Sequence, residues 1–114
     1  MNIERDIIRK FHVTSKYKGY FLIIDAINMY IEMYSQNSHI SMSNDIYGKL
    51  APKYETTLFC VEHNIRTLIE RCWKNNRHFM EDIFGCSLTC CPSNREFIDS
   101  VAYYVVSAPA KAKQ

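Results

Sequence analysis

The residues with the widest chemical repertoire in this 114-residue chain are its five cysteines and four histidines. Cys86, Cys90 and Cys91, with His78 upstream, raise the question of zinc, whose usual ligands are thiolate and imidazole. Their C-x3-C-C spacing lacks the paired knuckles of a zinc motif, and His78 falls in a helical stretch. No metal and no cofactor are therefore expected. Cys60 and His63 supply the ingredients of a thiol nucleophile and its base. Both sit on one helical stretch, however, without a third group to orient the base or a feature to hold an oxyanion. No catalytic residue is assigned and no enzymatic activity is expected. The cysteine count is odd and no secretory leader is read ahead of it, so the thiols are expected to be reduced, in a cytoplasmic protein.

A different chemistry resides in "YETTLFCVEHNIRTLIERCW", Tyr54 to Trp73. At helical spacing Leu58, Val61, Ile65, Leu68, Ile69 and Cys72 form one apolar stripe, which must pack on something. The opposite face gathers Phe59, Cys60, His63, Arg66, Thr67, Glu70 and Lys74. That is an unusual mixture for a face that only has to be solvated. A guanidinium can read a base edge or hold a phosphate, Phe59 and Thr67 can touch a thymine methyl, and His63 gains charge as pH falls. Phe59 could equally pack on the preceding helix, and Glu62 could accept from cytosine or pair with Arg66 four residues on.

The elements that must position this face are helical. One helix is expected over about Ile3 to His12, with Ile7, Ile8 and Phe11 on one side. Gly19 permits a turn, and Tyr20 to about Tyr34 reads as a mostly buried helix with Asp25, Asn28 and Glu32 on a narrow wet edge. The polar stretch Gln36 to Asn44 precedes a short helix near Asp45 to Lys53, capped by Ser43 or Asn44 and stopped near Pro52. The Tyr54 segment is capped by Thr56 or Thr57 and runs to about Lys74. A fifth helix spans Arg77 to Phe84, with Gly85 as its left-handed cap. Ser93 and Glu96 form a capping box for the last helix, whose Phe97, Ile98, Val101, Ala102 and Val105 recur at helical spacing. Two short helices, a tight turn and a longer helix with a mixed outer face make a helix-turn-helix pattern, at about residues 43–74.

Composition agrees. Hydrophobic residues make up 47% of the chain and aromatics 13%, enough for a core, while three glycines and three prolines leave few interruptions. We expect an all-α, compact six-helix single domain over residues 1–107 and a flexible tail, "APAKAKQ", over 108–114. The longest apolar run, Tyr20 to Ile24, is too short to cross a bilayer. A net charge of +2 is mild, so a nucleic-acid partner has to be argued from where charges sit.

"YKGYFLIIDAI", "YETTLFCVEHNIRTLIERCW" and "FG" followed by "PSNREFI" stand in the order, and at nearly the separations, of matching motifs in one family. From about Phe11 to Val105 the chain resembles the DNA-binding effector domain of the stage zero sporulation protein A response regulators. The resemblance implies six helices, with the third and fourth forming the helix-turn-helix and the fourth entering the major groove. It also implies transcription regulation and double-stranded DNA as partner, with a homodimer on tandem sites and RNA polymerase as further partners. The DNA-binding residues it implies are Thr56, Thr57, Phe59, Cys60, Glu62, His63, Arg66 and Thr67, together with Lys18 of the lysine-glycine-tyrosine motif. Lys16, Lys49 and Lys53 are further candidates for phosphate contacts.

The departures are as informative. The family's recognition helix begins approximately T-T-x-S-R-V-E-R-x-I-R-H. Thr56, Thr57, Val61, Glu62, Ile65 and Arg66 keep that pattern, whereas Phe59 replaces its serine, Cys60 and His63 its first two arginines, and Thr67 its histidine. Neither cysteine nor neutral histidine copies the bidentate grip of arginine on guanine. A scaffold is kept and its reading face is rewritten. The polar segment before the third helix is about two residues longer than in the family, and no receiver domain is read ahead of the effector domain. A free-standing effector and an excised domain are both compatible with that. An alternative function follows from the same departures: a degenerate effector domain whose more apolar helix face binds protein.

Overall fold

In the computed structural model, residues 3–36 and 39–112 are described, with side chains described through residue 107. Part of the polar stretch before the third helix and the end of the tail lie outside the described residues. Six α-helices account for the fold: α1 (Ile3–Arg9), α2 (Gly19–Tyr34), α3 (Gly48–Lys53), α4 (Leu58–Asn75), α5 (Arg77–Phe84) and α6 (Asn94–Ala112). A π-helical segment, Met42–Tyr47, runs directly into α3, and there is no strand among the described residues.

The centre is α2, which packs on α6 along one side and on α4 along another. Its fully buried Ile23, Ala26 and Ile27 meet a core that includes Ile8 and Phe11 of the α1 region, Ile65 and Ile69 of α4, Met80 of α5, and Phe97, Ile98 and Val101 of α6. Phe11 lies against both Phe79 and Phe97, with ring centroids 5.0 and 5.9 Å away. Tyr30 reaches from α2 to Asp99 at 2.7 Å, and burial followed by that carboxylate pushes its phenol up to about 12.

Gly19 explains how closely α2 and α4 approach. A Cβ there would stand 2.3 Å from the Asn64 carbonyl oxygen, so only hydrogen fits. The Lys18–Gly19 turn is thereby pressed onto the flank of α4.

Several boundaries differ from expectation for local reasons. The first helix stops at Arg9, because His12 adopts a left-handed φ of 60° and turns the chain. The helix expected at Asp45 begins at Met42, and its cap is Ser41 rather than Ser43 or Asn44. The Ser41 hydroxyl accepts from the Asn44 amide at 3.2 Å, while the Asp45 carboxylate accepts from the Ser41 amide at 2.8 Å. The capping box of α6 forms as expected: the Ser93 amide donates to Glu96 at 2.9 Å and the Glu96 amide donates to the Ser93 hydroxyl at 3.1 Å. These bonds hold the Glu96 carboxyl below its ordinary range. α6 continues to Ala112, into the segment expected to be loose. Tyr34 of α2 and Tyr103 of α6 are exposed.

Candidate nucleic-acid interface

α4 starts where the chain can no longer continue α3. Pro52 stands in the last turn of α3, and Glu55 takes a left-handed φ of 53° to reverse direction. Thr57 follows in an extended conformation, and its hydroxyl accepts from the Cys60 amide at 3.1 Å, which makes it the N-cap of α4. Asp25 of α2 ties this turn down by accepting from Lys53 Nζ at 2.9 Å and from the Tyr54 hydroxyl. Lys53 thus pairs with a carboxylate while its side chain stays 62% exposed.

Val61, Ile65, Leu68, Ile69 and Cys72 are buried, as the stripe requires, but Leu58 is 41% exposed. It belongs to the first turn of α4, ahead of the point where the helix meets the core. The outer face presents Phe59, Glu62, His63 and Thr67. Phe59 is 71% exposed and does not fold back on the preceding helix. Its ring lies parallel to that of His63, with 8° between the planes and 6.0 Å between centroids. The two make a flat aromatic step one turn into α4.

Cys60 is half-exposed at the same end of the helix. Hydrogen bonds from Thr57 and then Thr56 lower its thiol pKa, and the nearby charge of Lys18 acts in the same direction. Lys18 itself is exposed, and Tyr17 to Gly19 share a shallow depression with Asn64, Thr67 and Leu68 of α4. Lys18, Cys60 and Thr67 are therefore neighbours around one flank of the helix, though they are distant in sequence.

Arg66 is placed differently. Its Nη1 donates to the Pro92 carbonyl at 2.7 Å, its Nη2 to Cys91 Sγ at 3.0 Å, and its Nε to Glu70 at 3.4 Å. The side chain is only 31% exposed. Of the two roles read for Glu62, pairing with Arg66 is not the one seen: the guanidinium turns toward the α5–α6 connection and pairs with Glu70 instead. Cys91 is half-buried there and burial pushes its thiol up, as burial does to about 12 for Cys72.

Residues that no sequence pattern marked complete this side. Asn94 is buried and donates to the Glu62 carbonyl and to the Tyr47 hydroxyl, both at 3.2 Å. It therefore joins α6, α4 and the π-helical segment. Arg95 donates to the Ile40 carbonyl at 2.7 Å. Between these elements opens a cleft of about 420 Å³, walled by Phe59, Glu62 and His63 of α4, Met42 and Tyr47, and the start of α6 at Ser93 and Arg95. Only the position of Asn94 just after a cap hinted at this bridge. His78 and Asp82 pair on α5 at 3.9 Å, and no group of three metal-ligating side chains occurs among the described residues.

The all-α, six-helix domain sets the short α3 before the longer, partly exposed α4 across a tight turn, the arrangement of a helix-turn-helix. Residues 4–105 match the family model described as sporulation initiation factor Spo0A, C terminal, and the chain belongs to that family. It is a family of DNA-binding regulatory domains of sporulation regulators, not of enzymes. Among the described residues no helix is long and apolar enough to cross a membrane.

Proposed function

We propose that this chain is a sequence-specific, double-stranded DNA-binding transcription regulator whose reading face has been rewritten relative to its family. The N-terminal half of α4 enters the major groove, and Phe59, Cys60, Glu62, His63 and Thr67 meet base edges there. Thr56, Thr57 and Lys18 hold the flanking phosphates, aided by the amide groups at the α4 N-terminus. Arg66 stands behind this face and fixes the helix to the α5–α6 connection. A homodimer on tandem sites and RNA polymerase are the further partners we propose, in the cytoplasm.

The observation that carries this reading is the exposed row Phe59, His63 and Thr67 on α4, the helix that the resemblance puts in the major groove. With no arginine free to reach a guanine from the positions of Cys60 and His63, preference should shift to steps offering thymine methyls. Selection of bound sequences from a random duplex pool tests this. Enrichment of thymine-containing steps supports it, and recovery of the family's usual operator contradicts it.

A second reading has one observation in its favour: Leu58 at 41% and Phe59 at 71% exposure put two large apolar side chains on the open end of α4. That suits a protein partner. A salt titration against random duplex separates the two, because a DNA binder loses affinity steeply as salt rises and a protein-binding module shows little affinity at any salt.

A further inference from the structure

A second cleft, of about 480 Å³, lies between α1 and the start of α2 and is lined by Arg5, Arg9, Thr14, Ser15, Tyr20 and Phe21. Arg5 and Arg9 are four residues apart on α1, so both guanidinium groups leave the same side of the helix, and both side chains are exposed. Thr14 and Ser15 are also exposed and add two hydroxyl groups on the facing connection. The floor is apolar: Phe21 is 48% exposed and meets Tyr20 edge to face at 5.1 Å. Arg9 has no ion pair with a carboxylate among the described residues.

Two guanidinium groups and two hydroxyls above an aromatic floor suit a phosphodiester. The fork-shaped donors match phosphoryl oxygens, and the ring surface suits a sugar. Position supports the same assignment. Thr14 and Ser15 belong to the connection that continues through Lys16 to Lys18, and Lys18 is already against α4 beside Thr67. Lys18 is four residue steps along the chain from Thr14, at most about 14 Å fully extended. The Thr14 end of the cleft therefore lies within about 14 Å of Lys18 at the flank of α4.

We propose that Arg5 and Arg9, with Thr14 and Ser15, form a second, sequence-independent contact to the DNA backbone, joined to the α4 face by Lys16 and Lys18. This rests on the duplex-binding reading and extends the footprint from the recognition helix to α1. The test is a salt titration of duplex binding by the whole chain and by an Arg5→Ala/Arg9→Ala variant. The slope of log affinity against log salt should become shallower by about 1–2, since each lost phosphate contact removes about 0.9. The ratio of preferred to scrambled duplex should stay unchanged. The Arg5→Lys/Arg9→Lys variant, which keeps the charge, should retain most of the slope and shows whether any loss in the alanine variant came from unfolding. If the wild type binds and the alanine variant keeps the full slope, this inference fails while the α4 reading stands. If inorganic phosphate stabilises the wild type through these arginines and the DNA slope does not change, the cleft is a free-anion site and the inference again fails. If the wild type binds no duplex at any salt, the duplex-binding reading fails and takes the inference with it.

Discussion

The Arg66 guanidinium donates to the Pro92 carbonyl at 2.7 Å and to Cys91 at 3.0 Å, so its removal leaves that part-buried carbonyl with only the weak thiol donor of Cys91 at 3.6 Å. Arg66→Ala should lower stability by about 1–2 kcal/mol in a chemical melt, toward the lower end of charged hydrogen bonds because the side chain keeps some solvent. Duplex affinity should fall equally on preferred and scrambled sequences, with the salt slope unchanged. A loss confined to one base position would mean that the guanidinium leaves Pro92 to read DNA. Cys60 gives a second residue-scale test. Hydrogen bonds from Thr57 and Thr56 lower its pKa, so its thiolate appears at lower pH than that of an ordinary thiol. Its alkylation rate should rise with pH and reach half its plateau at lower pH than that of an ordinary exposed cysteine. Cys72, pushed up to about 12 by burial, should stay unlabelled in the folded protein. Saturating duplex should protect Cys60, and labelling that ignores duplex would remove it from the interface. The outer face of α4 was legible in sequence because helical spacing alone separates it from the buried stripe. The partners of Arg66 were not, since Cys91 and Pro92 lie 25 and 26 residues away and no periodicity reports such distances.

At the scale of elements, legibility followed the strength of local signals. The α5 stop at Gly85, with φ 75°, and the α6 capping box were readable because each depends on residues within one turn. The start of the third helix was misplaced because Ser41, Ser43 and Asn44 all have capping chemistry. The choice among them is made by Asp45 bonding back to Ser41, inside a π-helical turn wider than the usual spacing. Leu58 was misplaced because the apolar stripe extends one turn beyond the core that covers it. Gly19 carries the sharpest element-scale prediction. Its missing side chain lets α2 meet the Asn64 carbonyl, and a Cβ at 2.3 Å from backbone oxygen has nowhere to move. Gly19→Ala should therefore destabilise by about 1–3 kcal/mol or more through overpacking. It should also push Lys18 away from α4 and weaken duplex binding beyond what instability explains. A variant with unchanged melting would show that α2 and α4 are less tightly joined than the geometry requires.

For the whole molecule, a net charge of +2 supplies little general attraction to DNA, so binding must come from local placement. The family membership of residues 4–105 makes the chain a DNA-binding regulatory domain, and α4 is the element we propose to read the duplex. The proposed rewriting of the reading face places aromatic and thiol chemistry where the resemblance implies arginines. The most direct measurement compares wild type with a Cys60→Arg/His63→Arg variant, each on the family's usual operator and on a scrambled duplex, at fixed salt and neutral pH. The wild type should bind the two duplexes with similar, modest affinity. The variant should gain at least about tenfold on the operator alone, because one good bidentate arginine–guanine pair is worth about 1–3 kcal/mol of discrimination. Tight and selective operator binding by the wild type, or a variant that gains nothing, would contradict the account and place specificity outside the outer face of α4.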